Sequence, residues 1–204
     1  MFKLTSTDPL YFHISGFFLL IYNFPETVQG FELWYNFIMN LIDEKKSSLE
    51  EVTNNLLAQK FGTSWAEKTN HFAINYALHL SEVYGDVWYS GFLPEEFFMD
   101  ILLPSHPHSL IKENLFFPID TPVRDAFGFI EKFDTEYAKE CKELINYLKE
   151  EIKQKGFTSS VVLAVINGTI KHVDGLHRMI AYTLLLNEGH KYKPIPVFLC
   201  DSTK

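Results

Sequence analysis

Five consecutive residues, Asp174-Gly175-Leu176-His177-Arg178, combine the side-chain types that handle phosphate. They follow a β-rich run that ends at Val173 and open an apolar run, His177 to Leu186, that reads as a buried helix ending at Asn187-Glu188-Gly189. The order strand, tight turn, helix puts Leu176, His177 and Arg178 in a first helical turn. The leading amide N–H groups of a helix have no partner within it, and the helix dipole adds partial positive charge there. Phosphate binds readily at such an end. Gly175, without a Cβ, lets the backbone come close to an anion. Arg178 offers a two-pronged donor to phosphate oxygens. His177 can donate to phosphate or pass a proton near neutral pH. Asp174 can take a proton from a hydroxyl or hold Mg²⁺. Singly, each residue has a plainer reading: Asp-Gly as a turn, the Arg as surface, the His as structural. Their combination at this place in the chain points to chemistry.

The elements that must position this turn are readable on both sides of it. Ser160–Ile166, then Asn167-Gly168, then Thr169–Val173 is a hairpin signal, because Asn and Gly tolerate the positive φ of a type I′ turn. Pro194–Leu199 reads as a last strand, whose two prolines predict a start at a sheet edge. Upstream, Tyr137, Cys141, Leu144, Ile145, Leu148 and Ile152 recur at three- and four-residue steps. They predict a helix from Asp134 to Gly156, capped by Asp134 or Thr135 and stopped by the glycine. The Glu and Lys residues opposite form a solvated face.

The first half of the chain is aromatic and reads as mainly helical. Phe31 to Leu41 has amphipathic spacing. Ser48 with Glu51 makes a capping-box pattern for a helix whose Leu49, Val52, Leu56 and Leu57 face inward, with a stop near Phe61-Gly62. A third helix starts at Thr63-Ser64-Trp65, runs to about Tyr84 and breaks at Gly85-Asp86. Five prolines between residues 94 and 122 argue against long elements there and mark the join between two parts. The same stretch holds His106 and His108, whose spacing suits a metal, though a solvated loop is the simpler reading.

Bulk properties bound the function. With 204 residues and 47% hydrophobic positions, 19 of them Phe, the chain can bury a sizeable core. A net charge of −8 argues against nucleic acid as the main partner, since such affinity comes from Lys and Arg on phosphates. Cys141 and Cys200 form no CxxC pair and read as small buried thiols of a reducing compartment. The apolar stretch Gly16–Tyr22 is too short to span a bilayer and makes a poor leader. A soluble, cytoplasmic protein is expected.

Ile166-Asn167-Gly168, the strand to Val173, Asp174-Gly175-Leu176-His177-Arg178, Ala181 and Ile195-Pro196-Val197 together resemble the ParB/sulfiredoxin superfamily. The likeness covers some 40 residues closely and extends weakly back to about Leu115, through Phe117-Pro118-Ile119-Asp120. Members share nucleotide-phosphate binding at this turn. Sulfiredoxins carry a cysteine where this chain has Leu176, and ParB clamps continue into a DNA-binding helical segment. The Asp-Gly-x-His-Arg form is most similar to the free serine kinases that use ADP. The resemblance implies an α+β domain over residues 101–204, with residues 1–100 a helical extension. It implies a nucleotide-dependent phosphotransferase acting on a small hydroxyl-bearing metabolite, with ATP or ADP and Mg²⁺. Asp174, His177 and Arg178 would be catalytic. Gly175, Leu176, His177 and Arg178 would hold phosphate, with Arg124 as a second ligand. Asp120, Asp125 and Asp174 are the candidate metal carboxylates, and Glu113 is a poorer choice for the upstream acid. A non-catalytic nucleotide switch and a DNA-associated ParB-like nuclease or binding protein are the alternatives. The Phe- and Trp-rich N-terminal half can supply a homodimer surface as easily as a core.

Overall fold

A computed structural model describes residues 13–14, 17–18, 40–58, 64–104, 106–107 and 115–204. The chain divides into two compact units, Met1–Tyr35 and Asn36–Lys204. In the first, β1 (His13–Ile14) and β2 (Phe17–Phe18) pair antiparallel. The expected helix at Phe31–Leu41 lies almost wholly outside the described residues.

The second unit runs β3 (Ile42–Ser47), α1 (Leu49–Ala58), α2 (Ser64–Tyr84), β4 (Trp88–Leu93), α3 (Glu95–Phe98) and β5 (Leu102–Leu103). It continues through β6 (His106–Pro107), β7 (Leu115–Phe117), β8 (Thr121–Pro122), α4 (Val123–Glu131) and α5 (Glu136–Lys155). It closes with β9 (Val161–Ile166), β10 (Thr169–Asp174), α6 (Leu176–Asn187) and β11 (Ile195–Asp201). Seven of these strands form one mixed sheet in the order β3-β4-β11-β9-β10-β5-β8, while β6 and β7 pair separately. The architecture is mixed α+β, as expected.

Strand β9 explains the layering. All of Val161–Val165 are buried, as a strand covered on both faces requires. Its odd residues Val161, Leu163 and Val165 join Met179, Ile180, Ile145, Leu148, Ala126 and Ile130 from α4, α5 and α6. Its even residues Val162 and Ala164 join Val52, Leu56, Ala73, Ala77 and Leu80 from α1 and α2. The sheet is thus sandwiched between two helical layers.

Several local expectations hold. The α1 capping box is reciprocal: the Glu51 amide donates to Ser48 Oγ at 3.2 Å, and the Ser48 amide donates to Glu51 Oε2 at 2.9 Å. Ser47 Oγ adds a 2.6 Å bond that helps hold the Glu51 carboxyl below its usual range. Thr135 Oγ1 accepts from the Ala138 amide at the head of α5, and Gly156 ends that helix at φ +74°. Asn167 and Gly168 carry φ +52° and +71° between β9 and β10. Cys141 and Cys200 are buried, and burial pushes their thiols up to about 12 and about 11. Among the described residues no helix is long and apolar enough to cross a membrane.

Other expectations need correction. The sheet runs across the expected join at residue 100: β3 and β4 precede it, and β4 pairs with β11 along its whole length. Residues 42–93 are therefore part of the same unit as the C-terminal strands, not a helical extension. β11 sits inside the sheet, between β4 and β9, rather than at an edge. Pro194 falls before the strand and Pro196 only one residue into it, so the prolines sit where β11 begins. Leu57 is 63% exposed and does not face inward. Helix α4, which starts directly after the proline-rich stretch, has no counterpart among the expectations; Pro122 serves as its N-cap with φ −61° and ψ 144°.

The edge strand β3 is polar, and its Lys45 and Lys46 guard the open side. Opposite Gly91 its register slips: Ile42 faces Phe92 and Lys45 faces Ser90, leaving Asp43 and Glu44 as a bulge with Asp43 at φ +53°. A Cβ on Gly91 would stand 2.8 Å from the Ile42 carbonyl oxygen and 2.9 Å from Leu41 Cβ. Gly91→Ala must therefore push the bulge off the sheet. The expected loss is about 1–3 kcal/mol in urea unfolding, as for other overpacked sites.

Candidate functional site

The hairpin delivers Asp174 to the end of β10, where it lies beside Val162 at the start of β9. Gly175 then turns the chain at φ +99° and serves as the N-cap of α6, with no side-chain cap. The first amide bond inside the helix runs from Met179 to the Gly175 carbonyl at 2.9 Å. The three amides before it belong to Leu176, His177 and Arg178. The expected helix head is therefore present at one end of the sheet.

The side chains are used differently from the sequence expectation. Arg178 is only 4% exposed. Its Nη2 donates to Asp174 Oδ2 at 2.8 Å. Its Nη1 donates to the Ser159 carbonyl at 2.8 Å and to Ser159 Oγ at 2.6 Å, and both nitrogens reach the Ser160 carbonyl at 3.3 and 3.4 Å. Burial works against the guanidinium charge and Asp174 works for it. Arginine keeps its proton under such opposition. Arg178 thus points into the protein, tying the loop before β9 to the end of β10 and the first turn of α6. It is a positioning residue here rather than an exposed phosphate fork.

Gly175 also has another reason to be glycine. A Cβ there would lie 2.6 Å from Val161 Cγ1 and 3.1 Å from Arg178 Nη2. The face left bare by the missing Cβ is covered by Val161, so it is packing, not the approach of an anion, that excludes a side chain. Leu176 packs against the main core.

His177 is partly buried. Desolvation, aided by His172 on β10, lowers its pKa from the ordinary value to about 4. The imidazole is therefore neutral near pH 7, able to donate through one nitrogen and accept through the other.

The remaining candidates do not gather at this turn. Asp120 sits at φ +62° and binds Lys171 Nζ at 3.0 Å. Arg124 pairs with Asp100, with Asp125 Oδ2 at 3.9 Å from its Nε. Glu113 and His108 lie outside the described residues. Among the described residues no group of three or more His, Cys, Asp or Glu side chains is placed to hold a metal ion. The expected trio Asp120, Asp125 and Asp174 is thus not a preformed cage, because the first and last are each tied to a different cation.

Three participants had no motif to reveal them. Ser160 matters through its backbone carbonyl, which any residue supplies, and Ser159 through its carbonyl and its hydroxyl. Asn55 of α1 steadies the same loop by donating from Nδ2 to the Ser160 carbonyl at 3.2 Å. Ser160 also borders an open cleft of about 480 Å³, lined by Asp43, Glu44, Lys45, Ser90, Gly91, Phe92 and Val197 as well. Val197 pairs with both Val161 and Gly91, so the cleft and the Asp174 turn occupy the same end of the sheet.

No family model, curated protein or solved structure matches the chain.

Two outcomes follow from the buried groups. Arg178→Ala leaves Asp174 and the Ser159 and Ser160 carbonyls without their cation, and should cost about 3–5 kcal/mol in chemical denaturation. Arg178→Lys should recover only part of that, since a single ammonium cannot span all the acceptors. For His177, the folded pKa of about 4 lies below the unfolded value of 6.5. The unfolded state then binds more protons in that interval, so stability is full above about pH 6.5 and falls as the pH drops towards 4. The loss should reach roughly 3 kcal/mol and be flattened in His177→Gln, measured by urea midpoints across pH.

Proposed function

We propose that the protein is a nucleotide-dependent phosphotransferase acting on a small hydroxyl-bearing metabolite, on a ParB/sulfiredoxin-like scaffold. The observation that carries this reading is the α6 head without a side-chain cap, with Asp174 and Arg178 locked together beside it. Phosphoryl transfer asks a protein mainly for positioning and charge stabilisation. A fixed helix head supplies both through its amides and dipole.

The division of labour follows from the burial. The amides of Leu176 and His177, with the neutral His177 ring, contact the phosphate chain. Arg178 holds the geometry and contributes its positive charge from beneath. Asp174 orients the acceptor hydroxyl. In the step itself the hydroxyl oxygen forms a bond to the terminal phosphorus of ATP or ADP. The bond from that phosphorus to the bridging oxygen breaks. The hydroxyl proton passes to Asp174 or to water, and the shortened nucleotide leaves. Mg²⁺ usually keeps several waters and takes one or two carboxylates beside substrate phosphates, so it would arrive with the nucleotide and use Asp174 at most.

A second reading is favoured by one feature. Asp174 Oδ2 already accepts from Arg178 Nη2 at 2.8 Å, which ties that oxygen to the protein rather than to an acceptor hydroxyl. A nucleotide-binding switch without turnover would tolerate that.

Labelled ATP and ADP with Mg²⁺ and a metabolite extract separate these readings. The kinase reading expects label on a metabolite with wild-type protein, retained nucleotide binding but no transfer in Asp174→Asn, and binding weakened about tenfold in His177→Gln. Nucleotide should also raise the His177 pKa in an NMR titration, because a nearby phosphate favours the imidazolium. Binding without any transfer establishes the switch. If millimolar ATP and ADP both leave the His177 resonances unmoved, the turn is structural only.

A further inference from the structure

The cleft beside Ser160 is not used by the phosphate chemistry above, yet it is built by a local irregularity of the fold. The β3 bulge projects Asp43 and Glu44 opposite Gly91, and Gly91 lets the bulge sit tightly on β4. The resulting space of about 480 Å³ has two kinds of wall. Phe92, 39% exposed, gives an apolar wall. Asp43, Glu44, Lys45, Ser90 and Ser160 surround it with acceptors and donors.

The charges narrow the occupant. Glu44 is already engaged, accepting from the Leu41 amide at 3.2 Å and from Lys204 Nζ, while Lys204 also stands 4.7 Å over the Tyr89 ring. A polycation would have to displace Lys204 from Glu44 and approach beside Lys45. A phosphate would meet two carboxylates and a single lining lysine. A neutral molecule with many hydroxyls fits both walls at once. Its hydroxyls donate to carboxylate oxygens and exchange bonds with Ser90 and Ser160. Its C–H face lies on the electron-rich face of Phe92. The volume falls within the range of small-molecule sites.

We propose that this cleft binds a sugar or polyol. Resting on the phosphotransferase reading, we further assign it as the acceptor pocket, with the ligand entering past Phe92 and presenting a hydroxyl towards Ser160. That residue is the bridge: its carbonyl holds both Arg178 and Asn55, so the cleft meets the catalytic turn through one peptide unit. Asp43 and Phe92 are the specificity residues.

Saturation-transfer NMR on the full chain tests the cleft without any turnover. The probes are glucose, galactose, N-acetylglucosamine, ribose and glycerol, with spermidine and inorganic phosphate as charge controls. Two variants are run beside wild type. Asp43→Asn removes the charge while keeping a side chain that tolerates positive φ. Phe92→Leu keeps apolar volume and removes the ring. The expected result is saturable binding of at least one hydroxylated probe, weakened about tenfold or more in each variant, with unfolding midpoints close to wild type. No hydroxylated probe binding at tens of millimolar overturns the proposal, as does binding unchanged in both variants or preference for spermidine or phosphate. Sugar binding with no nucleotide response at His177 would leave the cleft standing and remove its role as acceptor pocket. A nucleotide response with no sugar binding would overturn the cleft proposal and leave the phosphotransferase reading standing.

Discussion

A guanidinium withdrawn from water must replace its hydration shell with protein acceptors, or the fold does not close around it. Arg178 meets that demand with one carboxylate, one hydroxyl and two backbone carbonyls. These acceptors come from two places far apart in sequence, the loop at Ser159-Ser160 and the end of β10 at Asp174. Satisfying the cation therefore fixes three things together: where β9 starts, where β10 ends and how α6 leaves the sheet. Val161, the first residue of β9, then covers Gly175 so closely that no side chain fits there. The helix head owes its position to this arrangement.

The same constraint changes the meaning of the Asp-Gly-Leu-His-Arg turn. An exposed arginine at a helix head would grip phosphate directly. A buried one instead fixes the course of the backbone at the helix head, held there by Asp174 and the Ser159 and Ser160 carbonyls. His177, kept neutral by desolvation and by His172, is suited to hydrogen bonding rather than to charge pairing at neutral pH.

Two register slips mark this end of the sheet, one between His172 and Asp174 and the other between Ile42 and Lys45. Bulges re-aim side chains and end regular pairing. Between them stand β9 and β11, both held in register with each other from Val161 and Val197 onward. A rigid apolar centre thus carries an irregular polar margin on each side. The Asp174 turn is one margin and the Asp43 bulge is the other, with Ser160 touching both.

Much of this was legible in the chain because it depends on near neighbours. Ser48 and Glu51 are three residues apart, Asn167-Gly168 dictates its own turn, and the three- and four-residue steps from Tyr137 to Ile152 describe one helix face. The candidate turn was found for the same reason, since Asp174 to Arg178 spans less than two helical turns. What was not legible depends on contacts across the fold. Ile42–Ser47 is too polar to read as a strand, and becomes one only because β4 offers it an edge. β11 carries two prolines and still lies inside the sheet, because both fall where the strand begins. Whether Arg178 faced solvent or Asp174 rested on Ser159 and Ser160, whose two backbone carbonyls have no signature in residue type and whose one contributing hydroxyl, that of Ser159, belongs to no motif. The sequence alone therefore determined which local elements form and which residues could do chemistry. Only the tertiary structure decided which of those residues meet, because burial and hydrogen-bond satisfaction are properties of partners brought together from distant parts of the chain.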